Sequence, residues 1–335
     1  MRIDVHNHLF PPAYLRLLED RAESVHIRTD GEGRRYLEEG GTRLATLTPP
    51  MTAVEDRLAM MEDQAIDVQV ISLTSPNVYC FSAADAIAAA RLVNDEYAMV
   101  KQRYPGRFRC LASIPLGTGA EVEELERAIG RLGLDGVVVG TNVHGRSLDD
   151  PAFATFWQCA DELALPVLLH PMTPMLGTAF MEDFALVPML GFPFDTTLAV
   201  VRLMWTGFLD RYPHLKLIAL HAGGALPYLV GRLEIGADAY AECRQVAHRP
   251  AWYLRRLYYD TIAYHPPALR ALVETVGAGQ VLFGTDYPHV IGDPARVIQS
   301  LGEANLGAAA LEAIEGGNAT QSLGFGPPDG LPARP

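Results

Sequence analysis

Two histidines, His6 and His8, stand two residues apart in the opening segment, where apolar residues alternate with polar ones. In a β-strand, residues two apart lie on the same face, so both imidazoles can bind one metal ion. Three later apolar runs also end in residues that bind metals or move protons, namely His170, His221 and Asp286. One histidine after an apolar run is more often a hydrogen-bonded core residue, but the repetition of this context indicates a site.

Three histidines and one carboxylate are a typical ligand set for Zn²⁺ with water in the open position, and Mn²⁺ or Fe²⁺ also accepts these ligand types. We assign His6, His8, His170 and Asp286 as the ligands. His221, which precedes a flexible Ala-Gly-Gly run, then serves as a general base on the metal-bound water or as a proton shuttle. A fourth imidazole ligand is the alternative role for His221. Asp286 can also relay a proton, whereas a helix N-cap is its structural alternative.

The lysine content bears on the number of ions. Lys101 and Lys216 are the only lysines among 27 basic residues. Some binuclear hydrolases built on parallel barrels bridge two ions through a carbamylated lysine at the carboxyl end of a strand. Lys101 lies in a helix-like stretch and Lys216 begins its predicted strand, so the sequence predicts a mononuclear site, provided that no carboxylate acts as the bridge.

The recurrence of these residues at strand ends predicts the architecture. Parallel (β/α)8 barrels place their chemistry at the carboxyl ends of the strands, so we predict an α/β fold of this TIM-barrel type. An open doubly wound sheet is the competing fold, but no glycine-rich phosphate motif supports it. The predicted strands are the opening segment and residues 68–74, 109–114, 136–141, 166–170, 215–220, 257–263 and 281–285. The predicted helices lie at about 52–65, 82–103, 119–132, 151–164, 195–211, 225–242, 266–276 and 294–303.

We predict one metal-dependent domain over residues 1–323. Residues 11–52 are rich in charge, glycine and proline, and we expect them to form an irregular inserted flap with a small hairpin. Residues 171–194 are expected to cover the mouth after the fifth strand. The tail 324–335, rich in glycine and proline, is predicted to be disordered.

Composition limits the class of protein. At 335 residues and 49% hydrophobic content the chain can bury a large core, and its net charge of −13 argues against nucleic-acid binding. The amino terminus does not resemble a signal peptide, and no stretch approaches the roughly 20 apolar residues of a membrane span. We therefore expect a soluble, cytoplasmic protein with no membrane partner and with free thiols at Cys80, Cys110, Cys159 and Cys243.

One arginine has a position that suits a substrate anion. Arg232 follows soon after His221 and can hold a carboxylate through two hydrogen bonds, although a solvated surface arginine fits its spacing equally well. Arg43, within the expected flap, is a weaker candidate for the same role.

The motifs together resemble the amidohydrolase superfamily, through Ile3-Asp-Val-His-Asn-His, His170-Pro, His221-Ala-Gly-Gly-Ala-Leu-Pro-Tyr and Gly284-Thr-Asp-Tyr-Pro. More narrowly, the chain resembles the branch around the aminocarboxymuconate-semialdehyde decarboxylases over nearly its whole length. This resemblance implies a mononuclear zinc-dependent, O₂-independent, non-oxidative decarboxylase of a conjugated or aromatic carboxylic acid. It also implies the metal ligands assigned above and an acid/base role for His221.

The resemblance further implies a homodimer in which Arg232 binds the substrate carboxylate across the interface, and Arg43 falls near a second such arginine. Two positions depart from the branch. Met172 replaces an aromatic residue near the fifth-strand histidine, and His289 replaces a phenylalanine after Asp-Tyr-Pro; both are expected near the substrate. A hydroxybenzoate or another unsaturated acid therefore fits as well as aminocarboxymuconate semialdehyde.

Other functions use the same metal chemistry. Related chains hydrolyse lactones or hydrate unsaturated acids, so a metal-dependent hydrolase or hydratase is the alternative function. A catalytically silent barrel that binds a small acid or holds a partner is a third reading, which an intact ligand set disfavours.

Overall fold

Seven parallel strands curl into most of a barrel in the computed structural model, which describes residues 1–326. In chain order the strands are β1 (Ile3–His8), β2 (Val25–Thr29), β3 (Arg35–Glu39), β4 (Thr42–Thr46), β5 (Val68–Ser72), β6 (Phe108–Ser113), β7 (Gly136–Gly140), β8 (Asn142–Val143), β9 (Arg146–Ser147), β10 (Pro166–His170), β11 (Lys216–Ala219) and β12 (Tyr258–Tyr259). The parallel sheet runs β1-β5-β6-β7-β10-β11-β12.

Residues 281–286 close the barrel as its eighth side. Val281 forms a parallel bridge with Tyr259 at the end of β12. On the other side, the Val5 amide of β1 donates to the Phe283 carbonyl at 2.9 Å. The predicted (β/α)8 architecture is therefore confirmed, with an eighth side that is paired by single bridges instead of a regular ladder.

Thirteen α-helices are described. They are α1 (Pro12–Arg21), α2 (Val54–Asp63), α3 (Ala83–Arg103), α4 (Glu121–Glu126), α5 (Ala154–Glu162), α6 (Phe192–Trp205), α7 (Phe208–Arg211), α8 (Leu226–Ala239), α9 (Pro250–Leu254), α10 (Pro266–Val276), α11 (Pro294–Glu303), α12 (Ala308–Glu312) and α13 (Asn318–Leu323). Several begin as their sequences indicate: the Ser82 hydroxyl accepts from the Asp85 amide ahead of α3, and α10 begins with proline.

Two apolar clusters hold the fold together. One fills the barrel and takes residues from the strands, among them Val5, Val70, Leu168 and Ile218, and it ends at the base of the barrel with Phe325. The other packs the outer faces of the same strands against the helices. This alternation along each strand is what a sheet buried on both faces requires.

The expected flap is more regular than its composition indicates. Pro12–Arg21 is a helix, so the prediction of irregular structure is wrong for this stretch. Tyr14, Leu15 and Leu18 form its buried face, and their spacing is the helical signal that the surrounding charge and proline obscured. Strands β2, β3 and β4 follow as an antiparallel three-stranded sheet instead of a small hairpin.

The predicted seventh strand, residues 257–263, is short: only Tyr258 and Tyr259 pair as a strand. The chain leaves the ladder at Asp260, because its carboxylate accepts hydrogen bonds from the amides of Ala222 and Ile262 at 2.7 and 3.0 Å. These side-chain contacts take the place of strand pairing.

The start of the expected disordered tail is also corrected. Phe325 is buried at the base of the barrel, and the Arg109 guanidinium donates to the Gly326 carbonyl at 2.9 Å. Phe325 and Gly326 are therefore packed, whereas Gly324 is exposed. The rest of the predicted tail, 327–335, lies outside the described residues.

One helical stretch within residues 1–326, Val187–Trp205, is long and apolar enough to cross a membrane by length and composition. No such stretch was predicted from the sequence, because the mouth segment 171–194 and the helix predicted from residue 195 were treated as separate elements. In its most apolar window, 56% is buried inside the fold, as in the core helix of a soluble protein, so this stretch is weak evidence for a membrane span.

Candidate metal centre

A β-bulge in β1 places both leading histidines inside the barrel. The pairing of β1 with β5 shifts register between Asp4 and Asn7, so that Val5 and His6 face inward in succession and His8 follows on the same side. Each imidazole is fully buried. Simple alternation along the strand would not have kept Val5 in the apolar interior together with these two rings.

His170, the last residue of β10, completes a group of three imidazoles. Its ring centroid lies 5.7 Å from that of His6 and 4.8 Å from that of His8. One ring nitrogen from each of the three histidines lies within 4.8 Å of the others. The strand-end position predicted for these residues brings them together at the carboxyl end of the barrel.

Asp286 joins the group from the end of the eighth side. Its Oδ1 atom lies 3.4 Å from His6 Nε2 and 3.3 Å from His8 Nε2. Its backbone adopts a left-handed conformation with a φ of 59°, and its amide donates to the His6 carbonyl at 2.7 Å. A non-glycine residue held in this conformation is a form of strain that clusters at functional sites.

His221 lies beside this group, directly after β11. Its Nε2 atom is 4.0 Å from Asp286 Oδ2. Its φ of 56° is also left-handed, and the following turn continues through Ala222 at 53°. The Ala-Gly-Gly run therefore serves as the tight turn that aims this imidazole across the barrel mouth.

Three buried ligand atoms in this group have no hydrogen-bond partner in the described protein: His6 Nε2, His8 Nε2 and Asp286 Oδ1. Buried polar atoms are almost always paired, because leaving one unpaired costs free energy. One cation between them would satisfy all three, and nitrogen and carboxylate oxygen are the donors that Zn²⁺, Mn²⁺ and Fe²⁺ accept. The residues present fit a metal ion.

Asp260 orients two of the site histidines, although the sequence did not predict it as a site residue. Its Oδ2 atom accepts from His6 Nδ1 at 2.6 Å and from the His221 amide at 2.9 Å. A carboxylate on one ring nitrogen leaves the other nitrogen free to bind a metal. The signal was available, since Asp260 also follows a short apolar run, Leu257-Tyr-Tyr, at a predicted strand.

Thr74 connects the fifth-strand histidine to His289 and was also missed. Its hydroxyl lies 3.1 Å from His170 Nε2 and 3.2 Å from His289 Nε2. His170 Nδ1 donates to the Pro171 carbonyl at 2.8 Å, which leaves Nε2 of the neutral ring without a proton. His289 thus lies against the metal group.

Burial and neighbouring charge set the protonation of the site. Burial lowers the pKa of His8 and His170 well below the usual histidine value, and neighbouring imidazoles lower both further. Burial, with the charge of His6, lowers the pKa of His221 to about 4. Burial opposes a charge on His6 as well, but the carboxylates of Asp286 and Asp260 outweigh it and raise its pKa. At neutral pH, His8, His170 and His221 are therefore neutral.

A cavity of about 710 Å³ opens above these residues. His170, His221, Asp286 and His289 line it at one end. Pro188, Met189, Phe192 and Pro193 from the segment after β10 line another side, and Leu44 of β4 reaches it from the inserted sheet. Residues 171–194 and the inserted sheet thus both border the mouth.

Three predicted substrate-contacting residues lie outside this cavity. Met172 lines a separate cavity of about 250 Å³. Arg43 contacts Asp30 at 3.1 Å and its guanidinium stacks 3.8 Å from the Tyr36 ring centroid. Arg232 is exposed on α8 and is not among the residues that line the cavity of its own chain.

The family model described as "Amidohydrolase" matches residues 3–325. The chain belongs to the amidohydrolase family. This confirms the resemblance drawn from the four motifs, and the match extends over both the barrel and the inserted sheet.

Named relatives of this amidohydrolase are carboxy-lyases. It is 30% identical to 2-amino-3-carboxymuconate-6-semialdehyde decarboxylase of Dictyostelium discoideum, with 98% of this chain and 92% of the relative covered. It is also 30% identical to 6-methylsalicylic acid decarboxylase of Penicillium expansum, with 87% and 86% covered. The class of enzyme predicted from the sequence, an amidohydrolase-related carboxy-lyase, is confirmed.

Solved structures share the whole fold. The apo form of Metarhizium anisopliae IDCase superposes with a TM-score of 0.85 at 26% identity, covering 97% of each chain. A dihydroxybenzoic acid decarboxylase from Polaromonas sp. JS666 has a TM-score of 0.76 at 22% identity and covers 95% of each chain; that crystal contains bound manganese. At that identity the likeness concerns the fold alone.

Proposed function

We propose that this amidohydrolase is a metal-dependent, non-oxidative decarboxylase of a conjugated or aromatic carboxylic acid. The observation that carries the proposal is the convergence of three unpartnered ligand atoms beside a mainly apolar cavity, which Asp286 lines. The decarboxylases among the relatives supply the reaction class. A metal-dependent hydrolysis of a lactone or hydration of an unsaturated acid remains the alternative that the test below distinguishes.

We propose His6, His8, His170 and Asp286 as the ligands of one ion. Lys101 lies on α3 and donates to the Gly133 carbonyl, so it does not bridge ions at the mouth. Zn²⁺ is the ion we propose, with Mn²⁺ or Fe²⁺ as alternatives. When bound, the ion supplies Lewis-acid stabilisation of the negative charge that develops as the carbon–carbon bond breaks.

The reaction requires one proton at the substrate carbon. The bond between that carbon and the carboxylate breaks, CO₂ leaves with no change in oxidation state of the protein, and a proton takes its place. The proton comes from solvent water, and His221 is neutral at pH 7 because its pKa is lowered to about 4, so Nε2 can take up that proton. Asp286 Oδ2, 4.0 Å away, is positioned to relay that proton towards the substrate.

Of the substrate-contacting residues predicted from the sequence, not all line the cavity. We propose His289 as a contact, because it lines the cavity beside the metal group. Met172 lines the neighbouring cavity, so it can affect the substrate only through the wall that separates the two cavities. Arg43 would have to leave Asp30 to reach a substrate.

We propose that the enzyme is a cytoplasmic homodimer. The exposed face of α8 carries Tyr228, Arg232 and Ile235, and the first and last of these are 90% and 69% exposed. Tyr228 also lines the rim of the cavity. A second copy seated on this face would cover apolar surface and bring its own Arg232 towards the mouth, where a second substrate carboxylate could use it.

The test is CO₂ release by purified, zinc-loaded protein from carboxymuconate semialdehydes and hydroxylated benzoates, with the His6→Ala variant as the control. Metal-dependent CO₂ supports the decarboxylase. Metal-dependent consumption of a lactone or an unsaturated acid without CO₂ would instead identify a hydrolase or hydratase. Light scattering of the same sample reports the mass of the assembly and tests the dimer.

A further inference from the structure

The cavity is polar at one end only. The imidazoles and the carboxylate of the metal group form that end, whereas the remaining walls are mostly aliphatic and aromatic. Within the part of the chain that the structure describes, no lysine or arginine lines the cavity. Away from the metal end, a substrate carboxylate therefore finds no cationic side chain among the described residues of the same subunit.

Part of the cavity lining is formed by apolar side chains, and we name it the apolar arm. It consists of Ile262 and of Ala268, Ala271 and Leu272 of α10. Ile262 and Leu272 are buried, whereas the two alanines are exposed. Two alanines on an amphipathic helix leave room at this wall that larger residues would fill.

The cavity is larger than a simple aromatic acid requires. At about 30 Å³ for each water-sized group, the ten or so heavy atoms of a hydroxybenzoate displace roughly 300 Å³. The cavity volume is about 710 Å³. Space for a substituent remains after the ring and its carboxylate are placed at the metal end.

We propose that the substrate is an aromatic monocarboxylic acid with an alkyl substituent of several carbons, and that the apolar arm binds this substituent. The proposal rests on the decarboxylase function above and names its substrate class. An alkyl chain gains free energy by leaving water for this surface. A second carboxylate placed against the apolar arm would be desolvated with no cation of the same subunit beside it, which is costly.

The test compares salicylates that carry methyl, propyl or pentyl groups at one ring position with the unsubstituted acid and with a carboxymuconate semialdehyde. The measured quantities are kcat/KM for CO₂ release and the dissociation constant from calorimetry on zinc-loaded protein. We expect kcat/KM and affinity to rise about tenfold for two added methylenes, until the arm is full.

The Ala271→Leu variant should remove the advantage of the longer chains, so that kcat/KM no longer rises with chain length, because the leucine side chain occupies the arm. Glu274→Leu places the same side chain on α10 outside the cavity lining and is the matched control. Both changes are exposed helical positions, so folding is retained.

Each outcome separates this inference from the function on which it rests. CO₂ release that is metal-dependent but flat or falling with chain length overturns the apolar-arm assignment and keeps the decarboxylase. A preference for the dicarboxylate that is lost in Arg232→Ala also overturns it. If no acid releases CO₂ but calorimetry shows tighter binding of longer chains, the arm is supported and the decarboxylase is not; binding independent of chain length rejects the arm.

Discussion

Two buried clusters of polar residues lie on opposite faces of strand β1. They differ in whether the protein itself supplies all of their hydrogen-bond partners. The ligand cluster (His6, His8, His170 and Asp286) faces the barrel interior. The wall cluster (Asp4, Asn7, Arg57, Gln69 and Thr285) lies between the barrel wall and helix α2. Both are withdrawn from water, so burial alone does not distinguish a functional group from a structural one.

The wall cluster is satisfied by the protein. Asp4 accepts from the Thr285 hydroxyl at 2.8 Å, from Gln69 Nε2 at 3.0 Å and from two backbone amides. Arg57 donates to Asn7 and Gln69 at 3.2 Å each. The exception in this cluster is one guanidinium nitrogen of Arg57, which is buried and has no hydrogen-bond partner.

The ligand cluster is satisfied only in part. Each imidazole has a partner on one side, such as Asp260 for His6 and Ser72 for His8, but the nitrogens that converge on Asp286 do not. In a structural polar cluster the protein supplies the hydrogen-bond partners, whereas a binding cluster has atoms without a protein partner that can bind a ligand. This difference predicts separate consequences of mutating the two clusters.

The largest expected effect is loss of the metal from the His6→Ala variant. Removing one ligand and its link to Asp260 should weaken metal binding by more than about 100-fold and abolish CO₂ release. Metal content after dialysis, measured by elemental analysis, checks this. His26→Ala, at an exposed histidine of β2, is the control and should keep full content. Full metal content in His6→Ala would remove it from the ligand set.

The next effect is on turnover. His221→Ala should keep the metal and reduce kcat by about 10²- to 10⁴-fold, as expected for loss of a positioned acid/base group. Metal analysis and CO₂ release are measured on the same preparation. Loss of metal together with activity would show that His221 is a fourth imidazole ligand, and unchanged kcat would exclude it from the mechanism.

The sequence predicted the barrel and the convergence of the site because both depend on a repeated pattern. Each of His170, His221 and Asp286 ends an apolar run, and parallel topology brings strand ends to one rim. The bulge that turns His6 inward was not foreseen, because the strand argument assumed simple alternation. Helix α1 was missed for a different reason: its buried face consists of only three residues among charged neighbours.

Residues that act through another residue were harder to predict. Asp260 and Thr74 belong to no sequence motif of their own. Their importance lies in their contacts with histidines that are far away in the sequence. Arg43 shows the opposite difficulty. Arg43 is a suitable residue type, but its partner Asp30 is set by the pairing of β3 and β4, which composition did not reveal.

A smaller effect should follow from Asp260→Asn. The amide cannot accept from His6 Nδ1 and the His221 amide as a carboxylate does, so both rings lose orientation. We expect metal affinity to fall about 10- to 100-fold with the fold retained. Asp161→Asn is the matched control, since Asp161 also accepts from two backbone amides, His214 and Leu215, at the opposite end of β11. Equal losses of metal affinity in both variants would show that Asp260 has only a general structural role.

The smallest effect on the site, and the sharpest test of the comparison, is expected from Asp4→Ala in the wall cluster. The substitution leaves the donors of Gln69 and Thr285 buried without an acceptor, so the free energy of unfolding should fall by about 3 kcal/mol. Urea unfolding of metal-free protein measures this, with the exposed Asp20→Ala as control. The folded variant should still bind one equivalent of metal, because Asp4 is not a ligand and contacts the ligand cluster only at the backbone amide of His6. Lost metal with unchanged stability would mean that the two faces of β1 are not separate in function.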